Sequence, residues 1–107
     1  MAHFDDEVVV TVPALAQNEI FRWSLKDDLL PSGAYPYGTY IKGLLVYNKS
    51  TAQLQEQSSG KPIPSGISKN VELGHADHFA LRPTDTSTAA GEVLIEVTLA
   101  VPHRRRT

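Results

Sequence analysis

Apolar side chains return at every second position from residue 92 to residue 101: Val93, Ile95, Val97, Leu99 and Val101 share one parity, with Glu96 and Thr98 on the other. Successive side chains of an extended backbone point to opposite faces, so this stretch predicts a half-buried β-strand with its β-branched residues inward. At ~3.3 Å per residue it would reach about 33 Å, longer than a usual strand. It is therefore expected to run the full edge of a sandwich or to reach past the domain. Residues 7–12 repeat the alternation on a smaller scale, with Val8, Val10 and Val12 in register and Pro13 ending the run.

Between these ends the pattern is less regular. Phe21, Trp23 and Leu25 alternate with Arg22, Ser24 and Lys26, as in a strand that turns its aromatic rings to the core. Ile20, Trp23, Leu29 and Leu30 would also suit a helix of about three turns, which is the lesser alternative. Lys26-Asp27-Asp28 and Pro31-Ser32-Gly33 carry turn chemistry. From Tyr40 to Tyr47 both parities are apolar apart from Lys42 and Gly43. That predicts a strand covered on both faces, with Gly43 at a bulge or a close backbone approach. Val71 with Leu73, and Phe79 with Leu81 before Pro83, predict two short strands. Gly74-His75-Ala76-Asp77 between them reads as a tight turn, because one continuous strand would set His75 and Asp77 on the apolar face without partners. Residues 83–91, rich in Thr, Ser, Ala and Asp, predict a loop.

About six strands, without βαβ alternation or a fixed-period repeat, predict an all-β fold. The expected architecture is one domain over residues 1–107, an antiparallel β-sandwich or small jelly roll, with polar tails at 1–6 and 102–107. Residues 48–68 break the pattern. They hold few apolar positions, and Pro62 and Pro64 enforce extended backbone there. Long irregular stretches inside a domain are uncommon, so this one is expected to be an irregular loop or arm that packs on a neighbouring subunit. Ile63 and Ile67 would be its apolar contacts; a solvated loop with a weak strand at 51–56 is the plainer account.

Composition narrows the chemistry. The chain has 107 residues and no cysteine, which removes a disulfide framework, a thiol nucleophile and a thiolate metal site. A formal net charge of −2 gives no reason to expect a nucleic-acid partner. The acidic N-terminus lacks a basic-then-apolar leader, and no apolar run approaches the ~20 residues that cross a bilayer. Neither secretion nor a membrane partner is expected, and the mature chain is expected to be the whole chain. Asn48-Lys49-Ser50 matches the N-glycosylation sequon, read as coincidence.

His75-Ala76-Asp77-His78 is the one local cluster of metal-capable side chains. With His3 or His103 as a third ligand it could hold a divalent ion, and a His beside an Asp could act as a general base. On a strand, however, His75 and His78 point to opposite faces, and a polar turn is the plainer account. No Gly-x-Ser-x-Gly, phosphate-binding Gly-rich loop or zinc-protease helix motif is present. The adjacent acids Asp5-Asp6-Glu7 and Asp27-Asp28 read as solvated charge. No enzyme activity and no cofactor are expected. Tyr35, Tyr37 and Tyr40, with Trp23, could form an aromatic platform for sugar or protein. Arg104-Arg105-Arg106 follow the last strand just as Asp5-Asp6-Glu7 precede the first. If these strands paired antiparallel, within one subunit or between two, opposite charges would face each other. At ~0–1 kcal/mol per exposed pair, this would set orientation more than affinity.

Short, cysteine-free and β-rich, with Ser, Thr, Gly and Pro in its loops and no catalytic motif, the chain resembles small phage virion proteins of the capsid-decoration or tail-accessory type. The resemblance is one of general character, rests on no specific motif and gives no residue a role. It implies a non-enzymatic structural subunit in a virion assembled in host cytoplasm, contacting copies of itself and a major capsid or other virion protein. From the residues themselves, the interface candidates are Asp5, Asp6, Tyr35, Tyr37, Tyr40, Ile63, Ile67, Arg104, Arg105 and Arg106. Two alternatives stand beside this reading. One is a carbohydrate- or small-ligand-binding module using Trp23 and the tyrosines. The other is a small metal-dependent β-barrel enzyme with His75, Asp77 and His78 as ligands.

Overall fold

The alternating segments pair as the two arms of a single long ribbon. The structure is a computed structural model and describes residues 3–29, 31, 33 and 35–102. Its strands are β1 (His3–Thr11), β2 (Phe21–Ser24), β3 (Tyr40–Asn48), β4 (Leu54–Glu56), β5 (Pro62–Ile63), β6 (Ser68–Ala76), β7 (His78–Pro83) and β8 (Val93–Pro102). A π-helical turn at Leu25–Leu29 continues β2, where the sequence predicts turn chemistry. β1 pairs with β8, β2 with β7, β3 with β6 and β4 with β5, every pair antiparallel. This nesting is that of a chain folded back on itself once, near its middle. Two further pairings, β3 with β8 and β4 with β7, roll the ribbon into sheets of order β1-β8-β3-β6 and β2-β7-β4-β5. The result is an all-β sandwich, with the strand order of an eight-stranded jelly roll. Among the described residues no helix is long and apolar enough to cross a membrane.

The inward parity of β8 is as expected: Val93, Ile95, Val97, Leu99 and Val101 are all buried. Its position is not. β8 lies inside the first sheet, between β1 and β3, rather than along an edge. Central placement explains its length, since both neighbours pair along nearly all of it. The first sheet's strands run to nine or ten residues, while those of the second have between two and six. At ~3.3 Å per residue the first sheet overhangs the second, and loops must cover the excess. Residues 25–29 and 35–39 do this at the end where His3 pairs with Pro102. There Leu25 and Leu29 pack on the shared core, and the Leu25 amide donates to the Asp77 carbonyl.

β3 departs from the expected two-sided burial. Ile41, Leu44, Val46 and Asn48 are buried, whereas Tyr40, Leu45 and Tyr47 on the outer face are only half-buried. The switch of parity between Ile41 and Leu44 comes from a bulge at Lys42. Leu73, Gly74 and His75 of β6 stand opposite it, between the pairs Gly43↔Glu72 and Ile41↔Ala76. This corrects the expected turn at residues 74–77. β6 runs on to Ala76, and only Asp77 separates it from β7. Gly74, at φ 74°, supplies the left-handed residue that resets the register. Ala76 rather than His75 then packs toward the core, so the expected cost of a buried imidazole never arises. Gly43 marks a close approach: a Cβ there would sit 2.9 Å from the Val71 carbonyl oxygen, which is backbone and cannot swing away. Gly43→Ala is expected to lower stability by about 1–3 kcal/mol, read as an earlier midpoint in urea at unchanged slope.

Residues 48–68 are not an arm. Ala52, Leu54 and Ile63 are fully buried, and β4 and β5 complete the second sheet. Asn48 anchors the segment. Its amide nitrogen donates to the carbonyls of Ala52 (2.8 Å), Ile63 (3.2 Å) and Pro64 (3.2 Å), and its Oδ1 accepts from the Ser50 amide and hydroxyl. At 1% exposure, with that nitrogen fully engaged, Asn48 serves the fold and not as a glycan acceptor. Ile63 is likewise a core residue of its own chain, which removes it from the interface candidates. Ile67 stays on the surface, 45% exposed.

Candidate functional site

The His75-Ala76-Asp77-His78 run straddles the crossing from one sheet to the other, and this separates its side chains. His75, next to last in β6, lies on the outer face of the first sheet, where its ring stacks on Tyr40 at 3.8 Å between centroids. His3 on β1 approaches the same tyrosine, at 5.5 Å and tilted. His78 opens β7 in the second sheet, and its Nδ1 lies 2.7 Å from Asp77 Oδ1. That bond, with the charge of His78 behind it, holds the exposed Asp77 carboxyl below its usual range. Among the described residues no three His, Asp or Glu side chains gather as a metal site. The expected ligand set is therefore not brought together, and His103 lies outside the described residues. What remains is an exposed His–Asp pair, with Ser24 opposite His78 across the strands and its hydroxyl donated to Asp27 at 3.1 Å, and an imidazole–phenol–imidazole row.

The aromatic platform also disperses. Trp23 is 8% exposed and stacks on Phe79 at 5.5 Å inside the core. Tyr37 is 92% exposed beside a shallow cleft lined by Leu25, Pro31, Thr39 and Asp77. Tyr40 belongs to the outer face, and Tyr35 to the end of the sandwich.

That end is where several interface candidates meet. Parity on β1 points Phe4, Asp6, Val8 and Val10 the same way, toward the second sheet, and Asp6 pairs with buried Leu99 across the strands. Because the first sheet overhangs, Phe4 and Asp6 reach past the second sheet's last strand pair. A cleft of about 500 Å³ opens there, lined by Phe4, Asp6, Tyr35, Pro36, Val101 and Pro102. Within it the Tyr35 hydroxyl donates to Asp6 Oδ2 at 2.5 Å, and the Glu7 amide donates to Oδ1 at 2.9 Å. These two donors hold the Asp6 carboxyl below its ordinary value, and the same bond, with partial burial, raises Tyr35. The cleft thus presents an ionised carboxylate among rings and prolines.

The first and last strands pair antiparallel within the chain, which is the condition on which opposite charges were expected to face each other. Asp5, Asp6 and Glu7 lie opposite Ala100, Leu99 and Thr98. Asp5 instead takes Lys42, at 3.0 Å, on the outer face. Arg104, Arg105 and Arg106 lie outside the described residues. Phe4, Pro36 and Pro102 were not foreseen as part of a site. The usable signal was parity, since Phe4 and Asp6 continue the Val8–Val10 stripe beyond the expected strand start.

No protein family, curated protein or solved structure matches the chain.

Proposed function

We propose that this chain is a non-enzymatic structural subunit that assembles with copies of itself, in a virion as a capsid-decoration or accessory protein. The observation that carries self-assembly is the outer edge of β1, along which no described strand pairs. A jelly roll leaves four edge strands, and an unpaired edge is a template for another chain unless it is short, bulged or interrupted by proline. β2 has four residues, β5 has two and contains Pro62, and β6 is bulged at Gly74. β1 has nine residues, no proline and an unshifted register along its length. Its acids guard the first half. The second half, Val8–Val9–Val10–Thr11, carries no charge, and Val9 is 59% exposed.

The virion assignment is an analogy of fold, since the jelly roll recurs in capsid proteins, lectins and cupins. Two observations favour the first use. The metal-enzyme alternative needs His75, Asp77 and His78 to converge, and among the described residues no three such side chains gather. The sugar-binding alternative relied on Trp23, which is a core residue. Light scattering over the widest concentration range the chain tolerates tests the assembly. A mass that rises to a defined multiple of 11.7 kDa supports it, and a monomer mass throughout overturns it.

A further inference from the structure

We infer that the outer edge of β1 joins two copies of this chain in one antiparallel register, with Val10 on the two-fold axis. The inference rests on the self-assembly reading and names the contact that builds it. In an antiparallel pair, alternate residues turn both backbone groups toward the same neighbour. The Val12 amide donates to the Val93 carbonyl at 3.1 Å, and the register is unshifted, so Val10, Val8 and Asp6 also turn their backbone groups to β8. The odd residues of β1 therefore present theirs along the outer edge. Glu7 agrees: its outward amide is taken by Asp6 Oδ1 of the same chain, at 2.9 Å. At the other limit, Pro13 has no N–H to give. Between these two stops lie Val9 and Thr11, and no described residue bonds their outward amides or carbonyls.

These stops select the register. Bonds across the edge must join odd residues to odd residues. An axis at Val8 or Val9 sets Glu7 opposite Val9 or Thr11 of the second copy, and asks for the amide that Asp6 already holds. An axis at Thr11 sets Val9 opposite Pro13. An axis nearer the N-terminus brings Asp5, Asp6 and Glu7 of the two copies together, and like charges facing across strands repel. With the axis at Val10, Val9 of each copy faces Thr11 of the other, and four amides meet four carbonyls. The next pair outward is Glu7 against Pro13, neither of which has an amide to offer. The acids of both copies then lie outside the paired stretch. On the inner face Val10 meets Val10 and Val8 meets Val12; on the outer face Val9, 59% exposed, meets Thr11, also exposed. The second copy fits by symmetry, because each chain carries both stops. The two first sheets become one, β6-β3-β8-β1 followed by its two-fold image, and an isologous contact of this kind closes at the dimer.

The chain has no cysteine, so introduced thiols can report the register. Residues opposite each other in a hydrogen-bonded pair lie ~5.5 Å apart at Cα, within disulfide reach. Val9→Cys and Thr11→Cys chains, mixed under mild oxidation at concentrations where light scattering reports assembly, are expected to give a disulfide-linked mixed dimer. Each variant alone should stay largely unlinked. Both positions are on the surface, so both variants are expected to fold, and unchanged urea midpoints check this. Linkage of Val9→Cys to itself moves the axis to Val9, and linkage of Thr11→Cys to itself moves it to Thr11; an excess of either, or no preference for the mixed pair, overturns the proposal. If the mass rises but nothing cross-links, the copies meet elsewhere, and the edge contact falls while self-assembly stands. Val9→Pro is the second arm, because proline there deletes an outward donor and no bond to β8. Losing two of the four bonds is expected to raise the dissociation constant about tenfold or more. A wild-type mass profile for Val9→Pro overturns the edge contact as well. A native chain that is monomeric at every concentration removes the self-assembly reading itself.

Discussion

Asn48→Asp is expected to remove most of the protein's stability. The native amide donates to three carbonyl oxygens, of Ala52, Ile63 and Pro64, and accepts from Ser50. A carboxylate at that place has no proton to give. It would set a buried negative charge against three oxygens, and each carbonyl would lose this donor, although that of Ala52 also accepts from the Ser50 hydroxyl. Leaving a buried polar group unmatched costs about 1–3 kcal/mol, and the losses here share one site. A total of about 4 kcal/mol or more is the expectation, against the ~5–15 kcal/mol typical of a domain. Asn48→Leu should cost less, about 2–4 kcal/mol, because it removes the donor without adding charge. Urea denaturation gives both values. Limited proteolysis should locate the damage, with new cuts confined to residues 49–67. Equal stability of wild type and Asn48→Asp would show that the Asn48 network does not hold this segment.

Glu56→Gln is the second large effect, and it carries a pH signature. The carboxylate is fully buried, and its oxygens accept the Ser59 amide at 2.7 Å and the Ala80 amide at 3.1 Å. It thereby ties the turn after β4 to the backbone of β7. Burial alone would raise this carboxyl, but the backbone donors of Ala80, Ser59 and Ser58, with the Ser59 hydroxyl, outweigh it and hold it below the ordinary value of 4.5. Glutamine keeps the shape but turns an NH2 group on one of those amides, for an expected loss of about 2–3 kcal/mol at neutral pH.

A carboxyl whose folded pKa lies below its unfolded value contributes stability in full above the unfolded value. The contribution fades as pH falls through the folded one. Wild type should therefore lose stability on acidification below about 4.5, and the variant should lose less of it over the same interval. The difference between the two melting curves should shrink toward low pH. Asp6 and Asp77 are shifted in the same direction but are exposed, so solvent mutes their share. A difference that stays constant from neutral to acid pH would mean that the Glu56 charge contributes nothing to the fold.

Side-chain alternation by itself determined the fold class and the inward face of the main strands. Val93 to Val101 and Val10 to Val12 are buried on the expected parity, because a pleated strand can hide only every second residue. The antiparallel pairing of the first and last strands was also within reach, through their matching patterns. Local alternation does not carry pairing order, however. Which strands neighbour which depends on how the ribbon rolls, and that moved β8 from an expected edge to the centre. Nor does it carry the worth of a buried polar group. Asn48 and Glu56 look like loop chemistry in the sequence and became anchors only when distant backbone groups converged on them, at Ile63 and Ala80. The His75–His78 cluster is the converse. Four consecutive residues suggested one site, and a bulge at Gly74 followed by a change of sheet at Asp77 sent the imidazoles apart. Only the tertiary structure could assemble the end cleft, because Phe4, Tyr35 and Pro102 are brought to one place by the overhang of a long sheet over a short one.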